Sequence, residues 1–366
     1  MENNQNNKNL IFQTLKAIEA MCKGCLKGRK IVEHARGART ISLAFSLMIS
    51  EVDRWYFSPS DSSTNEPFKI VDIFCALLAC MVAICWDNTP ESLWIPNVKG
   101  LIATGSVDCI INLIRYSLRE DSTKSPSMKT RSLPNYLLLV PALEASLPLS
   151  PYMDPSRSSL FSDTVVKMMS LCPERGDIAS LACACIAELD LPGKECSIEA
   201  IYNSIQLNFD NKNCLVNCFK ATRNAAKRGK ENVKKLEEKG FLKLASTYIE
   251  RPDFDSEIVA VIWDIVRDMI QAVPNLAQSA IRGLLMGNIS TVIISNSHDL
   301  TLGSAGCLLL ASLAPSMSPS CIDEKLVEAI SLLLDNFEIG ENESILKALA
   351  ALSTVEAKAF ASFCNG

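Results

Sequence analysis

The chain has 366 residues, 48% of them apolar and 21% charged, with a formal net charge of −5. That length exceeds what a single compact core usually needs, and the composition is that of an ordinary soluble globular chain. The acidic balance argues against a dedicated nucleic-acid binder, and fifteen cysteines, odd in number and set largely inside apolar runs, argue against a secreted disulfide scaffold.

Met1 to Asn9 is polar and Asn-rich. It lacks the charged region, apolar core and cleavage site of a signal peptide, so composition predicts a disordered lead-in over 1–9. Residues 10–366 then read as one helical array. Cys22-Lys23-Gly24-Cys25 is a lone CxxC, half of what a structural zinc site needs and without the strand context of a redox motif. Around it lie Lys23, Lys27, Arg29, Lys30, Arg36 and Arg39, opposed mainly by Glu33. Ser58 to Pro67 is Ser/Asp/Pro-rich and predicts an exposed loop. Ile70 to Trp86 is the most membrane-like stretch, but its uncharged part falls short of the roughly 20 residues a span needs. A buried helix fits it better.

Gly100 to Gly105 spaces two glycines like a phosphate loop but lacks its lysine. Arg119 to Pro134, rich in Ser, Thr, Lys and Pro, predicts a second exposed loop. Beyond it, apolar residues recur at helical spacing. Leu215, Cys218, Phe219, Thr222 and Ala226 step by three and four, as do Ile258, Val261, Ile262, Ile265, Val266 and Met269. Punctuation falls at Pro173, Leu191-Pro192-Gly193, Asp210-Asn211, Arg251-Pro252-Asp253 and Pro315 to Pro319. No Asn-Gly or Asp-Gly turn separates two β-rich runs. The fold class is therefore all-α, and segments of this length suit a helical repeat array.

The stretch from Asn211 to Asp253 sets the repeat. It reads NKNCLVNCFKATRNAA, then a short charged helix ending at Gly240, then FLKLASTYI. This resembles the armadillo repeat. In that family a long third helix ends in Leu-x-Asn-Leu-Ala, a short first helix ends at a glycine, and a second helix follows. Asn224 falls on the family's asparagine, with Thr222 and Ala225 in place of its leucines. Gly240 falls on the turn glycine, where the backbone must enter left-handed space. Second helices are expected again over Gly105–Ile114, Ser197–Leu207, Gly287–Ile294 and Asp323–Leu334. Gly240 and Gly287 lie 47 residues apart, near the roughly 40–47 of this repeat class. The resemblance covers about 176–352 best and implies a right-handed α-solenoid of armadillo/HEAT-like repeats over 10–366.

The resemblance also implies a groove lined by third helices. Lys220 and Asn224 would face it together, with Asp264 and Asp268 in the next repeat, Leu308 and Ser312 in the one after, and Glu188 with Ala184 in the one before. The family's nuclear-import receptors repeat a Trp-x-x-x-Asn ladder. Here one asparagine remains and Trp263 falls on a core position, so that role is not expected. A second basic cluster runs through Lys220, Arg223, Lys227, Arg228, Lys230, Lys234, Lys235, Lys239 and Lys243, opposed by Glu231, Glu237 and Glu238, with Lys227, Arg228, Lys234 and Lys235 as its central patch.

His34 and His298 are the only histidines, and no local triad can be built from them. The expected function is a non-catalytic scaffold or adaptor that binds a protein partner's peptide or helix in the groove. No catalytic residue, metal, cofactor, small-molecule substrate or membrane span is expected, and the location reads as cytoplasmic, with the nucleus also open to it. The competing reading is nucleic-acid or acidic-lipid binding through the clusters at 23–39 and 220–243. No aromatic residues interleave those cations to stack bases.

Overall fold

A computed structural model describes residues 2–23, 26–34, 36–56, 66–85, 95–118, 137–189, 198–283, 286–336 and 343–364; within these, the side chains at 2–9, 26, 34, 50–56, 66–70, 283, 286–287, 356 and 358–364 are not described. Among the described residues there are nineteen α-helices and no strand. The chain divides into two compact units, Met1–Pro192 and Gly193–Gly366. The boundary falls on the Leu191-Pro192-Gly193 punctuation.

The first unit holds α1 (Glu2–Cys22), α2 (Leu26–His34), α3 (Gly37–Tyr56), α4 (Glu66–Cys85), α5 (Ile95–Ala103), α6 (Ser106–Ser117), α7 (Leu139–Ser146), α8 (Pro155–Leu171) and α9 (Gly176–Glu188). Helix α1 takes in the Asn-rich residues that composition places in a disordered lead-in. The expected loops at 58–67 and 119–134 fall outside the described residues, apart from the start of α4. Helices α1, α4, α7 and α9 pack in succession, and α3, α6 and α8 form a second row. The apolar stretch around Ile73 to Cys85 is a buried helix: Phe74, Leu77, Leu78, Met81 and Ile84 are enclosed. No single described helix is long and apolar enough to cross a membrane.

The second unit repeats the pattern with α10 (Ile198–Leu207), α11 (Lys212–Lys227), α12 (Lys230–Glu238), α13 (Phe241–Ile249), α14 (Ser256–Ala272), α15 (Leu276–Gly283), α16 (Met286–Ser295), α17 (Leu300–Leu313), α18 (Glu324–Asn336) and α19 (Glu343–Cys364). Helices α11, α14, α17 and α19 pack side by side in chain order, and α16 packs on α18. The second helices expected near 105, 197, 287 and 323 are α6, α10, α16 and α18.

Local chemistry starts the first three helices of that row. Asn211 caps α11 by accepting from the Cys214 N–H at 3.1 Å. Asp255 caps α14 through the Glu257 and Ile258 N–H groups, and Asp299 caps α17 through Leu302. Each satisfies orphan donors of a first turn. Arg251 ties the turn before α14 to the turn before α11. It bonds Asp210, Asp253 and the Phe209 carbonyl, and its guanidinium lies 5.4 Å from the Phe209 ring centre.

The corner glycine behaves as its position requires. Gly240 precedes α13 with φ 80° and ψ 35°, in left-handed space. A Cβ there would meet nothing closer than the Tyr202 hydroxyl at 4.0 Å. Gly240→Ala is therefore expected to cost about 1–2 kcal/mol from backbone conformation rather than from a clash. A denaturant midpoint unchanged from the parent protein would contradict this.

The cysteines pack as small hydrophobes: ten of the twelve described are buried. Burial pushes the Cys80, Cys185 and Cys307 thiols up to about 12 and Cys109 to about 11. Thiols so raised carry little thiolate at neutral pH and are poor nucleophiles.

Candidate interaction face of the second unit

Helices α11 and α14 meet along a seam of opposite charge. At its start, Lys212 Nζ lies 2.5 Å from Asp255 Oδ2. Burial pulls the Asp255 carboxyl upward, but the Lys212 ammonium and the capped N–H groups outweigh it and hold it below the usual carboxylate range. Further along, Lys220 Nζ lies 3.6 Å from the Glu257 carboxylate, with both side chains more than half exposed. That pair is worth little on its own.

The centre of the seam is a closed network. Asp264 receives Arg223 Nη1 at 2.9 Å on one oxygen and Arg267 Nη1 at 2.7 Å on the other. Asp268 receives Arg223 Nε at 3.3 Å and Arg267 Nη2 at 3.4 Å, again on separate oxygens. Lys227 Nζ stands 4.0 Å from Asp268. Asp268 is only 8% exposed, against 28% for Arg223, so the network is anchored inside and open on one side. Two guanidiniums bridging two carboxylates fix helix against helix, since each planar fork sets both distance and angle.

The structure thus brings Lys220, Asn224, Asp264 and Asp268 onto one helix pair. Asp268, read from sequence as a groove residue, is mostly enclosed by its partners. Asn224 is partly exposed on α11. On α17, Leu308 and Ser312 are partly exposed, and the Ser312 hydroxyl donates to the Leu308 carbonyl at 3.0 Å. Glu188 is exposed on α9 and belongs to the first unit. In the basic patch, Lys234 pairs with Glu231 at 3.0 Å, and Lys239 reaches Glu199 at 2.9 Å. Arg228 and Lys235 are partly exposed.

Arg267 is the residue that reading along the chain overlooked, and Arg223 was seen only as one cation of a cluster. The signal was present. Arg223 and Arg267 are 44 residues apart, as are the caps Asn211, Asp255 and Asp299, and the buried Phe219, Trp263 and Cys307. The two arginines occupy one register in consecutive helices of the row.

This seam can bind and orient polar groups. Among the described residues no group of three His, Cys, Asp or Glu could hold a metal ion. Cys25, half of the CxxC, lies outside them.

No family model matches the chain, and no curated protein matches it. Among solved structures, a crystal structure of an engineered protein from the Northeast Structural Genomics Consortium matches with a TM-score of 0.57 at 12% identity, covering 97% of this chain and 87% of that one. A second engineered protein from the same consortium matches at 0.48 and 14% identity, over 67% of this chain and 98% of that one. The first shows a shared all-helical fold.

Proposed function

We propose that the chain is a non-catalytic protein-interaction scaffold, a right-handed armadillo/HEAT-like solenoid that takes a peptide or helix of a protein partner on the exposed face of α11, α14 and α17. One observation supports this above others: helices packed in succession carry Lys220/Asn224, Asp264/Asp268 and Leu308/Ser312 at matching register, 44 residues apart, with Lys220 exposed, Asn224, Asp264, Leu308 and Ser312 partly exposed, and Asp268 enclosed beneath them. A row of equivalent positions suits a segment that runs across several helices, reading each in turn. The charges of the central network offset one another. The face therefore suits a partner segment carrying both signs, or neutral side chains that exchange hydrogen bonds with Asn224 and Ser312. No cofactor or substrate enters the proposal, and its setting is the cytoplasm or nucleus.

The test is affinity capture from native extract, with partners identified by mass spectrometry. Lys220→Glu combined with Asn224→Ala is expected to weaken the captured partner about tenfold, the scale of one moderate interface contact. Lys234→Glu, on α12 and away from the row, is expected to leave it bound. A partner set identical for all three proteins would remove the face from consideration.

A further inference from the structure

A different surface, in the first unit, carries its own chemistry. Helix α3 buries Ala38, Ile41, Ser42 and Phe45. Its opposite side carries Arg39, Leu43 and Leu47, one turn apart each time and so on one face. Leu43 is 62% exposed and Leu47 61%. On the neighbouring helix α2, Ile31 is 56% exposed and lies on the same side as Lys27 and Lys30. Single exposed leucines are ordinary. Here three large apolar side chains are exposed on two helices in contact, each with cations beside it on its own helix.

Positive charge dominates at the corner itself. Glu33 is the only acid in the sequence between Lys27 and Ile49, and the next acids, Glu51 and Asp53, come in the last part of α3. Arg29 is used by the fold, since it is buried and donates to the Ala83 carbonyl at 3.0 Å. Lys27, Lys30, Arg36 and Arg39 are exposed, and none makes an ion pair among the described residues. This contrasts with the second unit, where the network of acids and cations closes on itself.

The backbone at the corner between the two helices adds a second observation. Arg36 adopts φ 57°, the only non-glycine at positive φ among the described residues. Equivalent corners use Gly105 at φ 85° and Gly240 at φ 80°. Gly37, next in the chain, has a steric reason: a Cβ there would sit 2.2 Å from Val32 Cγ1. Arg36 thus places a long cation at the corner itself, in a backbone region that glycine enters more easily.

We infer that the α2–α3 corner docks on an anionic lipid surface, with Leu43, Leu47 and Ile31 entering the headgroup layer and Lys27, Lys30, Arg36 and Arg39 held against lipid phosphates and carboxylates. A bilayer interface accepts protruding apolar side chains of any spacing when cations flank them, and the two contributions add. Nucleic acid would satisfy the cations but strand the leucines in water, and Phe45, the one aromatic between Lys27 and Ile49, is fully buried and cannot stack on a base. A rigid acidic protein would need a cleft matched to leucines projecting from one helix face.

The experiment is co-sedimentation of the full chain with phosphatidylcholine vesicles, with and without an equal part of phosphatidylserine, at low and physiological salt. Binding is expected only with phosphatidylserine. Each cation removed should weaken it about fivefold, so Arg36→Glu with Arg39→Glu should lower it well beyond tenfold at low salt. Leu43→Ser with Leu47→Ser should lower it about tenfold while leaving the salt dependence unchanged. All four sites are exposed, and circular dichroism reports whether each variant keeps its helices. Lys220→Glu should bind vesicles as the parent protein does, which separates this surface from the face in the second unit. No sedimentation with phosphatidylserine at low salt overturns the inference. So does binding that ignores the leucine changes, which would mark a charge-only patch, and so does capture by polyglutamate in the absence of vesicle binding, which would mark an acidic protein surface.

Discussion

Trp263→Ala is expected to destabilise the second unit by about 3–5 kcal/mol, the range for emptying a large aromatic from a closed core. Trp263 is the largest fully buried side chain among the described residues. It sits on α14, which packs on α11 to one side and α17 to the other. Gly306 on α17 makes room for it: a Cβ there would lie 2.9 Å from Trp263 Cζ3 and 2.9 Å from Ile293 Cδ1. Two further variants check the cause. The indole N–H makes no hydrogen bond, so Trp263→Phe forfeits volume but no bond and should cost only about 1–2 kcal/mol. Gly306→Ala should cost about 1–3 kcal/mol alone by overpacking, and much less in the Trp263→Ala background, where the space has been vacated. Denaturant unfolding of the full chain gives the magnitudes. Hydrogen exchange across 256–272 assigns them to this unit. Additive effects at 263 and 306 would contradict the contact on which the reasoning depends.

That contact also shows where sequence reading succeeds. Trp263 was assignable to the core because Ile262, Ile265, Val266 and Met269 surround it at helical spacing, and a third-helix alignment moves it off the groove. Gly240 was assignable because its backbone requirement is local. The α2–α3 corner was not, because an arginine does the work a glycine does elsewhere. The seam between α11 and α14 was half legible. Helical period places Asp264, Arg267 and Asp268 on one face of α14, but nothing in that spacing says that Arg223 of α11 lies across from them. Pairing between helices is set by their lateral approach, which depends on contacts between residues distant in sequence, such as Gly306 of α17 against Trp263 of α14. The 44-residue recurrence of helix caps, core residues and arginines was the global signal. Only the arginine pair and two of the three caps keep their residue type, while the core positions are Phe, Trp and Cys, so a search for one repeated core letter passes over it.

Asp268→Ala is expected to cost about 2–3 kcal/mol, because it leaves Arg223 and Arg267 facing each other without one of their two carboxylates. Breaking a fully buried ion pair typically costs about 3–5 kcal/mol, and the partial exposure of both arginines reduces that. Lys227→Ala, which removes only a half-exposed ammonium at 4.0 Å, should stay within about 0.5 kcal/mol. The distinction between removing one partner and replacing both is the sharper test. Arg223→Met with Asp268→Leu exchanges charged groups for apolar ones of similar size, and it should recover part of the loss seen with Asp268→Ala. Salt separates the network from the surface in the same experiment: screening acts on the exposed Lys220–Glu257 pair and much less on groups anchored by an enclosed carboxylate. If Asp268→Ala proves as mild as Lys227→Ala, the seam does not fix α11 against α14. The equal register of Lys220/Asn224 and Asp264/Asp268 would then lose its rigidity, and with it the reason to expect a partner segment to read the row in order.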